Sequence, residues 1–475
     1  MSLTSFSFLL FFPIVFLLHY LVCSKNKDVQ NVFIILSSCV FYGWWDWRFL
    51  GLVLLTAVST YYSGVLMGRN QETKVRKRIN ITAIVLNLGI LFCFKYFNFF
   101  VQSFVDLFHA VGINLSISTL RIVLPIGISF YTFSALSYTI DVYQKKIEPT
   151  KDILAYIAYI VFFPSILSGP INRADKQLPQ FIKLRKFDYD KVMEGTKLLI
   201  WGLFVKLCVA DRLGIYVDSV YSNLSQHTGM TMFFASVVYT IQIYADFSGY
   251  SLMAIGLGKM LGVDLQTNFV RPYFSTTVTE FWRRWHISLT TWFRDYLYFP
   301  LGGNRCSRQR WIFNTMLVFI ISGLWHGAAY TFLIWGTIHG LCMVIEKVIY
   351  GDKIKSVGNT NVIINSLKCL ITFMIVNFAW IFFRANTLQD ALYIDKQIFT
   401  MGGGKTLFVD KTTLALGFIS FFILLIKDLS DEYQWKFKLL NSKNGVVSFV
   451  SVVFLICYIL LFGVLNGGSF IYFQF

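Results

Sequence analysis

The residue types best able to do chemistry cluster in two stretches, EFWRRWHISLTTWFRDYLYFPLGGNR (280–305) and FNTMLVFIISGLWHGAAYTFLIWG (313–336). In the second, an apolar run starts at Trp311 and reaches His326 15 residues later. At about 1.5 Å per residue that is about 22 Å into a hydrocarbon core about 30 Å thick. An ionisable side chain at or past the midplane is a functional candidate by default. Gly323 and Gly327 beside it permit close approach of backbone or ligand.

The first stretch interleaves Glu280, Arg283, Arg284, His286, Arg294, Asp295 and Arg305 with Trp and Tyr rings. It is either an anchored loop or a working site held at the membrane. Read as one helix at about 100° per residue, Arg284, Ser288, Thr291 and Asp295 share a stripe, and Arg283, Thr290 and Arg294 share its neighbour. Phe281, Trp285, Trp292 and Phe293 fill much of the rest, as in an amphipathic helix with a basic face. His286 sits on neither polar stripe but with Leu289 and Phe293. That fits a hydrogen-bonded core histidine, or one that points into a protein cavity.

Other ionisable residues carry weaker signals. On an unbroken helix His339 faces about 220° away from His326, so it reads as a core or interfacial residue. His19, His109 and His227 lie near expected helix ends and take no role. Asp246, in the apolar segment YADFSGYS (244–251), needs a partner: a histidine it orients or a backbone group it binds. Asp141 reads as structural, paired with Lys145. The eight cysteines show no C-x-x-C spacing and read as small buried hydrophobes, without disulfide or metal site. No G-x-S-x-G elbow, H-x-x-x-x-D pair, P-loop, strand-borne dinucleotide motif or H-E-x-x-H is present.

The elements that must position these residues are membrane helices. The 475 residues are 56% hydrophobic and 14% charged, against about 25% charged in soluble domains. Apolar runs begin near 5, 31, 49, 79, 119, 153, 193, 231, 311, 328, 367, 412 and 446, which predicts an all-α polytopic membrane protein with roughly 11–13 membrane-embedded helices. The net charge of +17 fits the positive-inside rule, with a share available to an anionic ligand, rather than nucleic acid. The loops GRNQETKVRKRIN (68–80) and NRCSRQR (304–310) are expected to be cytoplasmic, and GWWDW (43–47) to be an aromatic turn on the opposite face. The N-terminal apolar run has no basic residue before it and Lys25 and Lys27 after it, which predicts a retained first helix with an outward N-terminus. Pro and Gly within 162–173 and 268–303 predict re-entrant or interfacial segments walling a cavity.

FWRRWHISLTTWFRDYLYFPLGGNR followed by GLWHGAAYTFLIWG resembles the membrane-bound O-acyltransferase family, in its bacterial alginate and peptidoglycan O-acetyltransferase branch. IYADFSGYSLMAIGLGKMLG, NFVRPYFS, FFPSILSGPI and the terminal GGSFIYFQF support the likeness, which runs from about residue 120 to the C-terminus. It implies a single transmembrane domain over 1–475, with a motif-bearing core at about 120–350 and a central tunnel joining a cytoplasmic donor to an extracytoplasmic acceptor.

The resemblance further implies transfer of acetyl from cytosolic acetyl-CoA, as a substrate, towards an exported glycopolymer, with no bound cofactor or metal. A membrane-anchored or periplasmic partner protein finishes the transfer. His326 is then the tunnel histidine and candidate general base, and His286 the second family histidine. Trp325 and Asp246 are candidates to orient the base or hold the oxyanion, with Trp285, Arg294, Asp295 and Asn304 in support. Arg305, Arg308 and Arg310 are candidates for the coenzyme A phosphates, against the alternative that they only mark the cytoplasmic side. The protein is expected in the bacterial plasma membrane. Two other readings stay open: a D-alanyl transferase of the teichoic acid type using a carrier protein, and a transporter or flippase without bond chemistry.

Overall fold

A backbone in hydrocarbon must satisfy its own N–H and C=O groups, so apolar runs separated by short polar segments fold as helices. In the computed structural model every regular element among the described residues is helical. Described are all residues except 116, 118, 121, 352–360, 405–410, 437, 439, 441, 443, 466, 468, 469 and 472–475, so much of the terminal GGSFIYFQF lies outside the described residues. Among the described residues, six helical stretches are long and apolar enough to cross a membrane: Lys27–Arg69, Thr73–Ala110, Tyr330–Tyr350, Val362–Arg384, Lys411–Glu432 and Gly445–Phe462. The protein is an all-α, multi-pass membrane protein. The expectation from the sequence is roughly 11–13 membrane-embedded helices, against the six stretches that meet this measure among the described residues.

The chain divides into two compact units. Unit 1 comprises Met1–Gly195, Leu257–Gln266 and Gly327–Ala329. It is built on α1 (Phe6–Leu21), α2 (Lys27–Asp46), α3 (Leu50–Arg69), α4 (Thr73–Leu91), α5 (Phe97–Ala110), α6 (Ile128–Tyr143), α7 (Ile153–Val161), α8 (Phe163–Ile166) and α9 (Ala174–Ile182). Unit 2 holds most of α10 (Tyr189–Phe204) and α12 (Gly229–Met260), together with α11 (Asp211–Tyr221), α13 (Val278–Arg284), α14 (Ile287–Phe293) and α15 (Arg308–His326). It continues through α16 (Tyr330–Tyr350), α17 (Val362–Arg384), α18 (Leu388–Thr400), α19 (Lys411–Glu432) and α20 (Gly445–Phe462).

In unit 1 the basic stretch 68–80 is mostly helix rather than loop: α3 runs to Arg69, and α4 takes in Lys74, Lys77 and Arg78 from Thr73. The apolar pattern places the start of α4 late because its first turns are polar. Arg76, buried on α4, donates to the carbonyls of Met67 (2.9 Å) on α3 and Val142 (2.8 Å) on α6, capping two helix C-termini that expose unpaired C=O groups. Asp141 pairs with Lys146 (3.7 Å), not with Lys145, whose backbone turns left-handed (φ 60°) at the end of α6. In the Pro-Ser-Gly-Pro segment side chains satisfy irregular backbone: Asn172 N donates to Ser134 Oγ (3.1 Å), and Phe163 N to Ser38 Oγ (3.1 Å).

In unit 2, α15 and α16 form an antiparallel hairpin with touching backbones. A Cβ on Gly323 would run into the Phe332 carbonyl, and one on Gly336 into the Phe319 carbonyl, so both positions require glycine for the approach. The stretch 280–305 is not the single helix that its polar stripes suggest. It breaks between α13 and α14 at Trp285–His286, where His286 adopts φ 42°, and widens into a π turn over Arg294–Tyr298. The freed backbone is taken up locally. Ile287 N donates to Asn268 O (3.0 Å), Ser288 N to Asn268 Oδ1 (3.2 Å) and Val270 N to Arg284 O (2.9 Å). Short helices at membrane depth persist only with such partners.

Candidate active site

His326 is the last residue of α15, buried at 2% exposure. Its imidazole lies among Trp325 (4.9 Å between ring centroids), Trp335 of α16 (4.9 Å) and Phe383 of α17 (5.3 Å), each close to edge-on. His286, fully buried, lies with its ring centre 6.4 Å from that of His326. Trp325 sits 5.8 Å from His286, so one indole borders both imidazoles. The break in 280–305 makes this possible, because it turns His286 out of its helical register.

The other predicted residues separate into groups. Trp285 is fully buried against Phe281, Phe269 and Trp380, in the aromatic packing beneath the break rather than beside His326. Asp246, on α12, binds a cation and a backbone group and does not orient a histidine. Its Oδ1 lies 2.6 Å from Lys206 Nζ, and its Oδ2 accepts from Ile471 N (2.8 Å). Lys206 also meets Asp211 (2.6 Å), and all three side chains are buried. The next residue, Phe247, packs edge-on against His286 at 4.6 Å, so this charged cluster backs the wall of the site. Arg294 pairs with its neighbour Asp295 (2.8 Å). Arg305, Arg308 and Arg310 are exposed.

A cavity of about 410 Å³ opens between α13, α14, the π turn, α15 and α16. Arg294 and Asn304 line it, and so do two cations that sequence reading did not assign to a ligand, Arg283 and Lys347. Arg305, Arg308 and Arg310 are not among its lining residues. Along α15 the lining runs Trp311, Thr315, Val318, Phe319, Ser322, and His326 is the next residue on that stripe. Along α16 it runs Lys347, Met343, and His339 comes next at the same spacing. One turn of helix, about 5–6 Å, therefore separates the last lining residue on each helix from a histidine.

His339 is fully buried, the core histidine that the sequence suggests. The chain reverses after His326, so an unbroken helix is the wrong frame, and both histidines contact the Trp335 indole, His339 at 5.1 Å. Its ring is also edge-on to Trp282 (5.1 Å), which lines the cavity. Asn268 is another residue the sequence did not flag. Its one available signal was its place in NFVRPYFS, before a proline-bearing segment.

The chain is similar to known proteins over most of its length. It is 39% identical over 394 residues to the "probable alginate O-acetylase AlgI" of Pseudomonas aeruginosa, covering 83% of this chain and 74% of that protein. It is 32% identical over 421 residues to the peptidoglycan O-acetyltransferase of Helicobacter pylori, covering 83% and 78%. To the teichoic acid D-alanyltransferase of Bacillus subtilis it is 27% identical over 228 residues, covering 46% and 58%. Fold and similarity together make the protein a membrane-embedded O-acyltransferase. The sequence model of the membrane-bound O-acyltransferase family matches residues 39–385, and the chain belongs to that family.

Proposed function

We propose that the protein moves an acetyl group from cytosolic acetyl-CoA across the bacterial plasma membrane for O-acetylation of an exported polysaccharide or peptidoglycan. An extracytoplasmic partner protein completes the transfer. The observation that carries this reading is the cavity, which has Arg283, Arg294 and Lys347 in its lining and an α15 wall that stops one turn short of His326. Guanidinium groups meet phosphate oxygens in pairs and an ammonium meets them as a point charge. The polar end of coenzyme A would lie among these cations, with its thioester towards Ser322. The acetyl assignment is favoured over D-alanyl because the two O-acetylating relatives match along 83% of the chain and the D-alanyltransferase along 46%. Exposed basic residues at the start of α4 and in 305–310 support a cytoplasmic placement of those ends, with the N-terminus outside.

In this reading the acceptor hydroxyl gives its proton to Nδ1 or Nε2 of a neutral His326. The hydroxyl oxygen bonds to the acyl carbon, the C–S bond breaks, and the sulfur leaves with a proton as free coenzyme A. Burial among Trp325, Trp335 and Phe383 excludes water, which protects the thioester from hydrolysis. Trp325, against both imidazoles, fixes their relative orientation and carries an indole N–H donor for the oxyanion.

The test uses the full chain in vesicles with radiolabelled acetyl-CoA and candidate partners, comparing wild type with His326→Ala. Thioester consumption that is lost in a His326→Ala protein of unchanged thermal stability supports the reading. Use of carrier-bound D-alanine alone overturns the acetyl assignment. Polymer movement without thioester consumption, persisting in His326→Ala, overturns the enzyme mechanism in favour of transport.

A further inference from the structure

The seven-residue helix α13 supplies Thr279, Trp282 and Arg283 to the cavity and leads directly into the break at His286. A helix this short has no stability of its own, so something outside it must fix its place. Its first turn is held from another helix. Glu346, on α16, accepts from Val278 N (2.5 Å), Thr279 N (2.8 Å) and Thr279 Oγ1 (2.7 Å). The next amide, Glu280 N, is taken by the N-cap hydroxyl of Thr277 (3.0 Å). A carboxylate at this position satisfies orphan amides and meets the positive end of the helix dipole. Lys347, the residue after Glu346, lines the cavity from α16, as Met343 does.

We infer that Glu346 is a positioning residue for the donor pocket: its carboxylate ties the first turn of α13 to α16 and thereby sets Arg283 on one wall against Lys347 on the other. The inference rests on the reading of the cavity as the acyl-donor site. Glu346 is not among the residues that line the cavity. Its effect is on where the cations and Trp282 stand. Because Trp282 in turn lies 5.7 Å from Trp335, which borders His326, the clamp also keeps the wall nearest the histidine in place.

The test compares wild type with Glu346→Gln, Glu346→Asp and Thr279→Val in the full chain. The amide of Glu346→Gln turns an N–H₂ towards backbone N–H donors, while Glu346→Asp keeps the charge but falls one methylene short. Three readouts are taken: amide exchange at Val278 and Thr279, acetyl-CoA affinity by titration, and the split between KM and kcat. Glu346→Gln is expected to expose those two amides to exchange and to weaken acetyl-CoA binding about tenfold. It is expected to raise the donor KM in step while leaving kcat at saturating donor within about twofold, the pattern of lost ground-state binding. Glu346→Asp lies between it and wild type. Thr279→Val, a milder change that keeps the carboxylate, shifts donor affinity in the same direction by a smaller factor.

Faster exchange with unchanged donor affinity overturns the inference, because the clamp would then hold α13 without shaping the pocket. So does a fall in kcat at unchanged donor KM. If wild type itself fails to bind acetyl-CoA, the reading of the cavity falls and this inference with it. Amide exchange then still shows whether Glu346 holds α13.

Discussion

The imidazole of His286 and that of His326 lie 6.4 Å apart between ring centres, with the Trp325 indole bordering both. The two come from separate segments of the chain, one from a break between short helices and one from the end of a long helix. A role for His326 in proton transfer predicts that His326→Gln, which retains a polar side chain of similar reach, lowers acyl transfer by about 100-fold or more. The check is the rate of thioester consumption in vesicles at matched protein stability.

His286 carries its side chain on a left-handed backbone, with φ 42°. Asn adopts that conformation readily and β-branched residues do not. His286→Asn is therefore expected to unfold at a higher midpoint than His286→Val, whose β-branched side chain fits this backbone less well. Activity measured in the Asn variant then reports on the imidazole rather than on the fold. Unfolding of the two variants in detergent, followed by circular dichroism, decides this.

The cluster of Lys206, Asp211 and Asp246 is one cation between two carboxylates. Lys206→Met leaves two buried carboxylates without their counter-ion and is expected to cost about 3–5 kcal/mol. Asp246→Asn leaves a neutral Lys206–Asp211 pair and an amide oxygen that still accepts from Ile471 N, so its cost is about 1–2 kcal/mol. The order of the two unfolding midpoints is the measurement, and equal losses would contradict this account of the cluster.

Charge at the cavity gives a third contrast. Arg283→Ala and Lys347→Ala are each expected to raise the donor KM by about tenfold, the loss of about one charged hydrogen bond. Arg305→Ala, Arg308→Ala and Arg310→Ala, outside the lining, change it by less than about threefold. Steady-state kinetics at two salt concentrations separates the groups, since only a phosphate contact should weaken with salt along with the KM effect.

What could be read from the sequence follows from what a linear pattern contains. Several helix starts stood out: those read near 5, 49, 153, 412 and 446 lie within one residue of helices that begin at Phe6, Leu50, Ile153, Lys411 and Gly445. Helices that open on polar turns, such as α2 at Lys27 and α4 at Thr73, began earlier than the apolar pattern suggested. That the run from Trp311 to His326 is helical was legible, because it depends only on the pattern along one run. The companionship of His286 was not, because it needs a helix break that stripes at 100° per residue conceal. Arg305, Arg308 and Arg310 drew attention by clustering in sequence, whereas Arg283 and Lys347 meet only through the packing of α13 and α16. Glu346 and Asn268 act through partners far away along the chain, as Lys206 does with Asp246, and no local spacing announces those pairs.

The α15–α16 hairpin has a mechanical consequence. Its backbones touch at Gly323 and Gly336, so the two helices have no side-chain cushion through which to slide. A bilayer that thins or thickens is met by tilting or by local lipid adjustment, and such a hairpin tilts as one body. The separation of His326 from Trp335 is thereby referenced to protein backbone alone.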